Sequence, residues 1–267
     1  MNTVRSLNAW IPYRRPSYKS RLRLFCFPYA GGSASVFREW IDSFPAGIDV
    51  CPIQYPGREK RITEPPFTLV EPLIDALVNG LSPEFNIPFA FWGHSLGALI
   101  SFELARRLQK RGVYPVHLFI SGYCAPVIAK RKFPMHLLPD VEFVERLRAY
   151  HGTPEVVLNN NELMRVLLPT LRADFALHET YVYPSAAPLN CPISAYGGIK
   201  DPEVYYHDLE LWKMQTIQNF KLQMFPGDHF YIHSCRRQLV NSIINDLILD
   251  YRKSSLEQEG INTGTWI

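Results

Sequence analysis

Phe89-Ala90-Phe91-Trp92-Gly93-His94-Ser95-Leu96-Gly97 runs from four apolar residues into a serine set between two glycines. The apolar run suits a fully buried strand, and Leu96 to about Lys110 has the spacing of an amphipathic helix stopped by Gly112. A strand that turns sharply into a helix at G-x-S-x-G lifts the serine hydroxyl above a sheet. Gly93 and Gly97 leave room there, where any side chain would collide.

Upstream of this stretch, Arg21 to Pro28 alternates Leu22, Leu24 and Cys26 with Arg23 and closes on Phe25 and Phe27. It reads as a strand becoming buried, followed by the loop Tyr29-Ala30-Gly31-Gly32-Ser33. Val36, Phe37, Trp40, Ile41 and Phe44 lie at helical spacing, Ile48 to Gln54 is a second apolar run, and Leu69, Leu73, Ile74, Leu77 and Val78 predict a helix ending near Gly80. Downstream, Val116 to Cys124, Cys191 to Tyr196 and Phe220 to Phe225 read as buried strands. A last helix from His233 to about Arg252 aligns Leu239, Ile243, Ile244 and Leu247. Strands alternating with helices predict an α/β fold whose mostly parallel sheet is covered on both faces.

Between Pro126 and Pro188 the alternation stops. Phe143, Leu147 and Tyr150 mark one helix there, and Leu163, Val166, Leu167, Leu171, Phe175 and His178 mark a longer one. Residues 126–188 are therefore expected as an inserted set of helices, read as a lid over the site, with extra packing as the plainer alternative. The chain of 267 residues is expected to form one domain over 1–267 carrying this insertion, with a polar, disordered tail at 254–267.

Composition excludes several classes. A content of 47% hydrophobic and 20% charged residues is that of a soluble globular protein. The net charge of +3, with bases and acids intermixed, is too small for a nucleic-acid stripe. No apolar run is long enough to span a membrane, and Met1 to Ser20 lacks the apolar core of a signal peptide, so a cytoplasmic protein is expected. Five widely spaced cysteines, Cys26, Cys51, Cys124, Cys191 and Cys235, form no CxxC pair and read as buried thiols rather than a disulfide framework or metal site.

A serine hydroxyl is a weak nucleophile at neutral pH and needs a base held in one tautomer by a carboxylate. Of eight histidines, His229 lies in a loop after the last predicted strand, from which an imidazole can reach over the sheet edge. His233, one helical turn further, is its competitor. The acid is expected between serine and histidine in chain order. Asp201 stands just past a predicted strand with Pro202 fixing the turn; Asp228, Glu203 and Asp208 are alternatives. Acyl transfer also needs donors for a tetrahedral oxyanion. The N–H of Leu96, after the nucleophile, is one, and Ala30, beside Gly31 and Gly32, is the choice for the second. Gly31-Gly32 as a phosphate cradle is the rival, but no Lys-Ser or Lys-Thr follows. These residues read as a hydrolase of acyl esters or thioesters.

Five segments in order narrow this reading: Phe27-Pro28-Tyr29-Ala30-Gly31-Gly32, Tyr55-Pro56-Gly57-Arg58, Trp92-Gly93-His94-Ser95-Leu96-Gly97-Ala98, Gly197-Gly198-Ile199-Lys200-Asp201-Pro202 and Gly227-Asp228-His229-Phe230. From about Leu22 to Leu249 the chain resembles the type II thioesterases of nonribosomal peptide and polyketide synthesis, within the α/β-hydrolase superfamily. Tyr29 stands where many members carry His, and Asp228 replaces a frequent Gly. The resemblance implies an α/β-hydrolase fold with a helical lid, a triad of Ser95, Asp201 and His229, and an oxyanion hole from the N–H groups of Ala30 and Leu96. It further implies a monomer that removes stalled or misprimed acyl and aminoacyl groups from the phosphopantetheine arm of carrier domains, with no metal or redox cofactor of its own. A siderophore pathway such as that for yersiniabactin is one setting it admits.

Carrier domains are acidic, so Arg58, Lys60 and Arg61, together with Lys130, Arg131 and Lys132, are expected docking residues, against a plainer reading as solvated surface charge. Two other functions stay open on the residues alone: a carboxylesterase or acyltransferase on the same scaffold, and a non-catalytic binding protein that keeps the fold.

Overall fold

Each apolar run upstream and downstream of Ser95 becomes a parallel strand in the computed structural model, which describes residues 9–15, 19–128, 134–150 and 152–258. The strands are β1 (Leu22–Phe27), β2 (Ile48–Pro52), β3 (Phe89–His94), β4 (His117–Ser121), β5 (Ile193–Gly198) and β6 (Phe220–Phe225). The helices are α1 (Arg38–Ile41), α2 (Val70–Leu81), α3 (Leu96–Gln109), α4 (Asp140–Ala149), α5 (Glu155–Leu158), α6 (Asn161–Thr180), α7 (Tyr206–Glu210), α8 (Tyr231–Ser234) and α9 (Arg236–Gln258). The architecture is the α/β one predicted from the alternation, a parallel sheet with a packed core on each face.

The sheet order is β2-β1-β3-β4-β5-β6, and every neighbouring pair is parallel. Alternate residues of β1 and β3 serve two cores: Phe25, Phe27 and Phe91 join the face covered by α2 and α3, whereas Leu24, Cys26, Ala90 and Trp92 join the face covered by α1 and α9. Burial on both faces explains why these strands read as continuous apolar runs. The order reverses at β1, because β2 lies on one side of it and β3 on the other. At such a switch point the loops leaving the carboxyl ends of β1 and β3 diverge and open a crevice, where ligands of open α/β sheets bind. The loop with Ala30 and the turn with Ser95 are those two loops.

Helices α4, α5 and α6 lie between β4 and β5. Met135, Phe143, Leu147, Leu158, Met164 and Leu171 give the insertion a small core of its own. The single last helix read from His233 is divided, with Cys235 between α8 and α9. Its Sγ donates to Pro226 O at 3.0 Å, tying the break to the loop ahead of His229. Of the tail expected to be disordered from 254, residues 254–258 are instead helical, because α9 continues through Gln258. Leu256, Glu257 and Gln258 are good helix formers, and no Gly or Pro interrupts the chain before Gly260; residues 259–267 lie outside the described residues. The five cysteines are free thiols, with Cys124 partly exposed and the others buried. Among the described residues no helix is long and apolar enough to cross a membrane.

Candidate active site

Ser95 occupies φ 53, ψ −119, a backbone region that L-residues rarely adopt, at the junction of β3 and α3. Its N–H donates to Ser121 O at 2.8 Å, which binds the turn to the end of β4. Turn, strand and helix approach so closely that a Cβ on Gly93 would overlap Gly97 O, and one on Gly97 would overlap Phe27 O. The flanking glycines are thus set by backbone packing, and they hold Ser95 at the crevice.

Asp201 and His229 come from the loops after β5 and β6. Ile199 N–H donates to Phe225 O and Lys200 N–H to Gly227 O, both at 2.8 Å, so the two loops are stitched together. Gly198 is needed at this seam, since a Cβ there would overlap Asp228 O. His229 Nδ1 then lies 2.7 Å from Asp201 Oδ2. Asp201 Oδ1 accepts from the N–H groups of Glu203 at 2.8 Å and Val204 at 3.3 Å, which fixes the carboxylate's orientation. The His229 ring lies 5.0 Å from that of His94, the neighbour of Ser95. His229 Nε2 makes no protein hydrogen bond among the described residues.

The alternatives are otherwise engaged. Asp208 accepts from Tyr205 N–H at the start of α7, and Asp228 accepts from Phe230 N–H. His233 Nε2 lies 3.3 Å from Tyr29 Oη, and burial lowers its pKa. Tyr29 packs its ring against His94, Phe230 and His233, forming one rim of the site. Ala30 and Leu96 N–H groups meet no protein acceptor among the described residues, and Leu96 begins α3, where the helix dipole favours negative charge. The same residues hold no group of three or more His, Cys, Asp or Glu suited to a metal ion.

Beneath His229 runs a buried polar chain that the sequence reading did not single out. His94 Nδ1 lies 2.9 Å from Ser121 Oγ, which lies 2.5 Å from Tyr231 Oη. Burial first, then the neighbouring His229, pushes the His94 pKa well down, so this imidazole is neutral. The Tyr231 hydroxyl is pushed strongly up by burial.

The docking expectation at Arg58 and Arg61 is corrected. Arg58 is buried and forms a two-pronged pair with Asp174, at 2.8 and 2.7 Å. Arg61 is buried against Trp10, with its guanidinium 4.3 Å from the ring centroid, and bonds Glu64 and Gln54 O. Both are structural cations that a partner does not reach; of this run only Lys60 is an exposed base. Lys130, Arg131 and Lys132 lie outside the described residues. Asp174 was also unforeseen, and its signal was faint: an acid three residues after Leu171, on the buried side of the helix.

The family described as a thioesterase domain matches residues 22–248. The gramicidin S biosynthesis protein GrsT of Aneurinibacillus migulanus is 47% identical over 250 residues, covering 93% of this chain and 98% of its own length. Among solved structures, the type II thioesterase BorB from the borrelidin biosynthetic cluster superposes with a TM-score of 0.83 at 36% identity, covering 90% of this chain and 98% of its own. YbtT, a type II thioesterase from the yersiniabactin pathway, superposes with a TM-score of 0.79 at 30% identity, covering 88% of this chain and 96% of its own.

Proposed function

This chain belongs to the thioesterase family and is a thioester hydrolase of α/β-hydrolase fold, and from that premise we propose that it edits carrier domains by a Ser95-His229-Asp201 mechanism. The observation that carries the chemistry is the 2.7 Å contact between His229 Nδ1 and Asp201 Oδ2 at the sheet edge that also bears Ser95. Asp201 holds the proton on Nδ1, so Nε2 is the basic nitrogen. His229 takes the Ser95 proton as Oγ attacks the thioester carbonyl. Ala30 and Leu96 N–H groups donate to the resulting oxyanion. When it collapses, the carbon–sulfur bond breaks and His229 returns the proton to the departing pantetheine thiolate. Water, deprotonated by His229, then attacks the acyl-enzyme to release the free acid and regenerate Ser95.

The relatives support a carrier-bound substrate. They serve gramicidin S biosynthesis, a borrelidin cluster and the yersiniabactin pathway, so the common element is assembly-line synthesis, with a siderophore pathway one member of the range. The substrate brings its own phosphopantetheine, and no further cofactor enters these steps. We place the reaction in the cytoplasm, with a monomer acting on carrier domains in trans, and read the insertion at 126–188 as the lid over the crevice.

Hydrolysis of an acyl-carrier thioester should be compared with that of the oxygen ester of the same acyl group. The proposal expects strong preference for the carrier thioester and loss of turnover in Ser95→Ala. Preference for the oxygen ester would favour a carboxylesterase, and unchanged activity in Ser95→Ala would overturn the mechanism.

A further inference from the structure

The turn Tyr29-Ala30-Gly31-Gly32 is closed by Gly32 N–H donating to Tyr29 O at 2.8 Å. Tyr29 C=O and Ala30 N–H share one trans peptide plane and point in opposite directions. This bond therefore aims the Ala30 N–H away from Gly32. Gly31, third in the turn, has φ +76, the left-handed backbone that favours glycine there. Its own N–H is directed outward and donates to Asp174 Oδ2 at 2.7 Å, across 143 residues of chain. Arg58 grips the same carboxylate with both terminal nitrogens, and its Nη1 also donates to Gly32 O at 2.9 Å. The Asp174 and Arg58 side chains are only 1% and 7% exposed, so each charge depends on the other rather than on water.

Asp174 lies on α6, within the insertion. One turn earlier, Leu171 packs on the same loop, close enough that a Cβ on Gly31 would sit 2.7 Å from its Cδ2. Helix α6 thus holds the central peptide of the turn directly and its last carbonyl through Arg58. We propose that Asp174 is a positioning residue: α6 is a strut that fixes the Ala30 N–H for the transition state, with Arg58 as its counter-ion. The inference rests on the reading of Ala30 as an oxyanion donor. A helix that only covered the crevice would govern substrate entry and hence KM. A strut governs stabilisation that appears only in the transition state, and hence kcat.

The test uses the full chain, an acyl-pantetheine thioester, and an alkylboronic acid whose tetrahedral Ser95 adduct carries an oxygen at the oxyanion position. Asp174→Asn should lower kcat by about 10- to 100-fold with KM within about twofold, and weaken boronate binding by a similar factor while leaving the product acid's affinity unchanged. Thr170→Val is the control. It removes another bond from α6 to the core, Thr170 Oγ1 to Gly57 O at 2.5 Å, without touching the turn. It should lower Tm and leave kcat unchanged. If Asp174→Asn does not fold, Arg58→Lys, which keeps the charge but loses the fork, should show the same split. Unchanged boronate affinity, or a kcat loss no larger than in Thr170→Val, would overturn the strut. Activity surviving in Ser95→Ala would instead overturn the mechanism beneath it.

Discussion

Asp201 Oδ2 lies 2.7 Å from His229 Nδ1, while the other carboxylate oxygen is held by two backbone N–H groups of its own loop. The acid is thus oriented by local backbone, and only its outer oxygen meets the imidazole. Asp201→Asn keeps the inner bonds through its carbonyl oxygen but turns an NH2 toward Nδ1. The imidazole then carries its proton on Nε2 and cannot act as base. Turnover should fall by about 10⁴-fold with Tm nearly unchanged. A loss below tenfold in steady-state kinetics would show that His229 does not need this tautomer.

Backbone strain at Ser95 predicts an inversion of the usual order of stability. At φ 53, ψ −119 a Cβ is costly, by about 1–3 kcal/mol. Glycine relieves this cost but loses roughly 0.4–1 kcal/mol through the freer unfolded chain. Ser95→Gly should therefore be more stable than Ser95→Ala by about 1 kcal/mol, and both should be inactive. Urea unfolding of the two variants checks this, and a more stable alanine variant would remove strain from the account of the turn.

Acid should destabilise the fold partly through His94. Burial depresses its pKa well below the ordinary value of 6.5. Between that depressed value and about 6.5 the unfolded chain binds a proton that the native chain refuses, so stability is full above pH 6.5 and falls as pH drops. The slope from this one group is about 1.4 kcal/mol per pH unit. His94→Asn, which has no titration in this range, should flatten the loss of stability between pH 6.5 and 5 in urea melts, whatever its stability at pH 7. An unchanged slope would assign the acid sensitivity elsewhere.

Burial of Arg58 and Arg61 leaves Lys60, Lys130, Arg131 and Lys132 as the basic residues proposed to meet an acidic carrier. Replacing these four by alanine should raise KM for an acyl-carrier substrate several-fold, more at low salt than at high salt, and leave KM for acyl-pantetheine unchanged. Equal effects on both substrates would separate these charges from docking.

Much of the molecule was legible because its signals are local. Period-2 burial on both strand faces wrote β1 and β3 as apolar runs, and the two glycines about Ser95 marked a turn that tolerates no Cβ. Chain order and strand ends also singled out Asp201 and His229, since a sheet delivers its carboxyl-end loops to one edge.

Tertiary structure alone decided which charges are buried and what they hold. Arg58 and Arg61 sit in a run that reads as solvated surface charge, yet the insertion brings Asp174 to Arg58 from 116 residues away. The chain that links His94, Ser121 and Tyr231 likewise joins β3, β4 and α8. The physical reason is range. Hydrophobic period and turn geometry are set by neighbours within a few residues, and so are printed in the sequence. The partner of a buried charge is set by which elements pack together, and only the folded chain brings Asp174 to the turn beside Ala30.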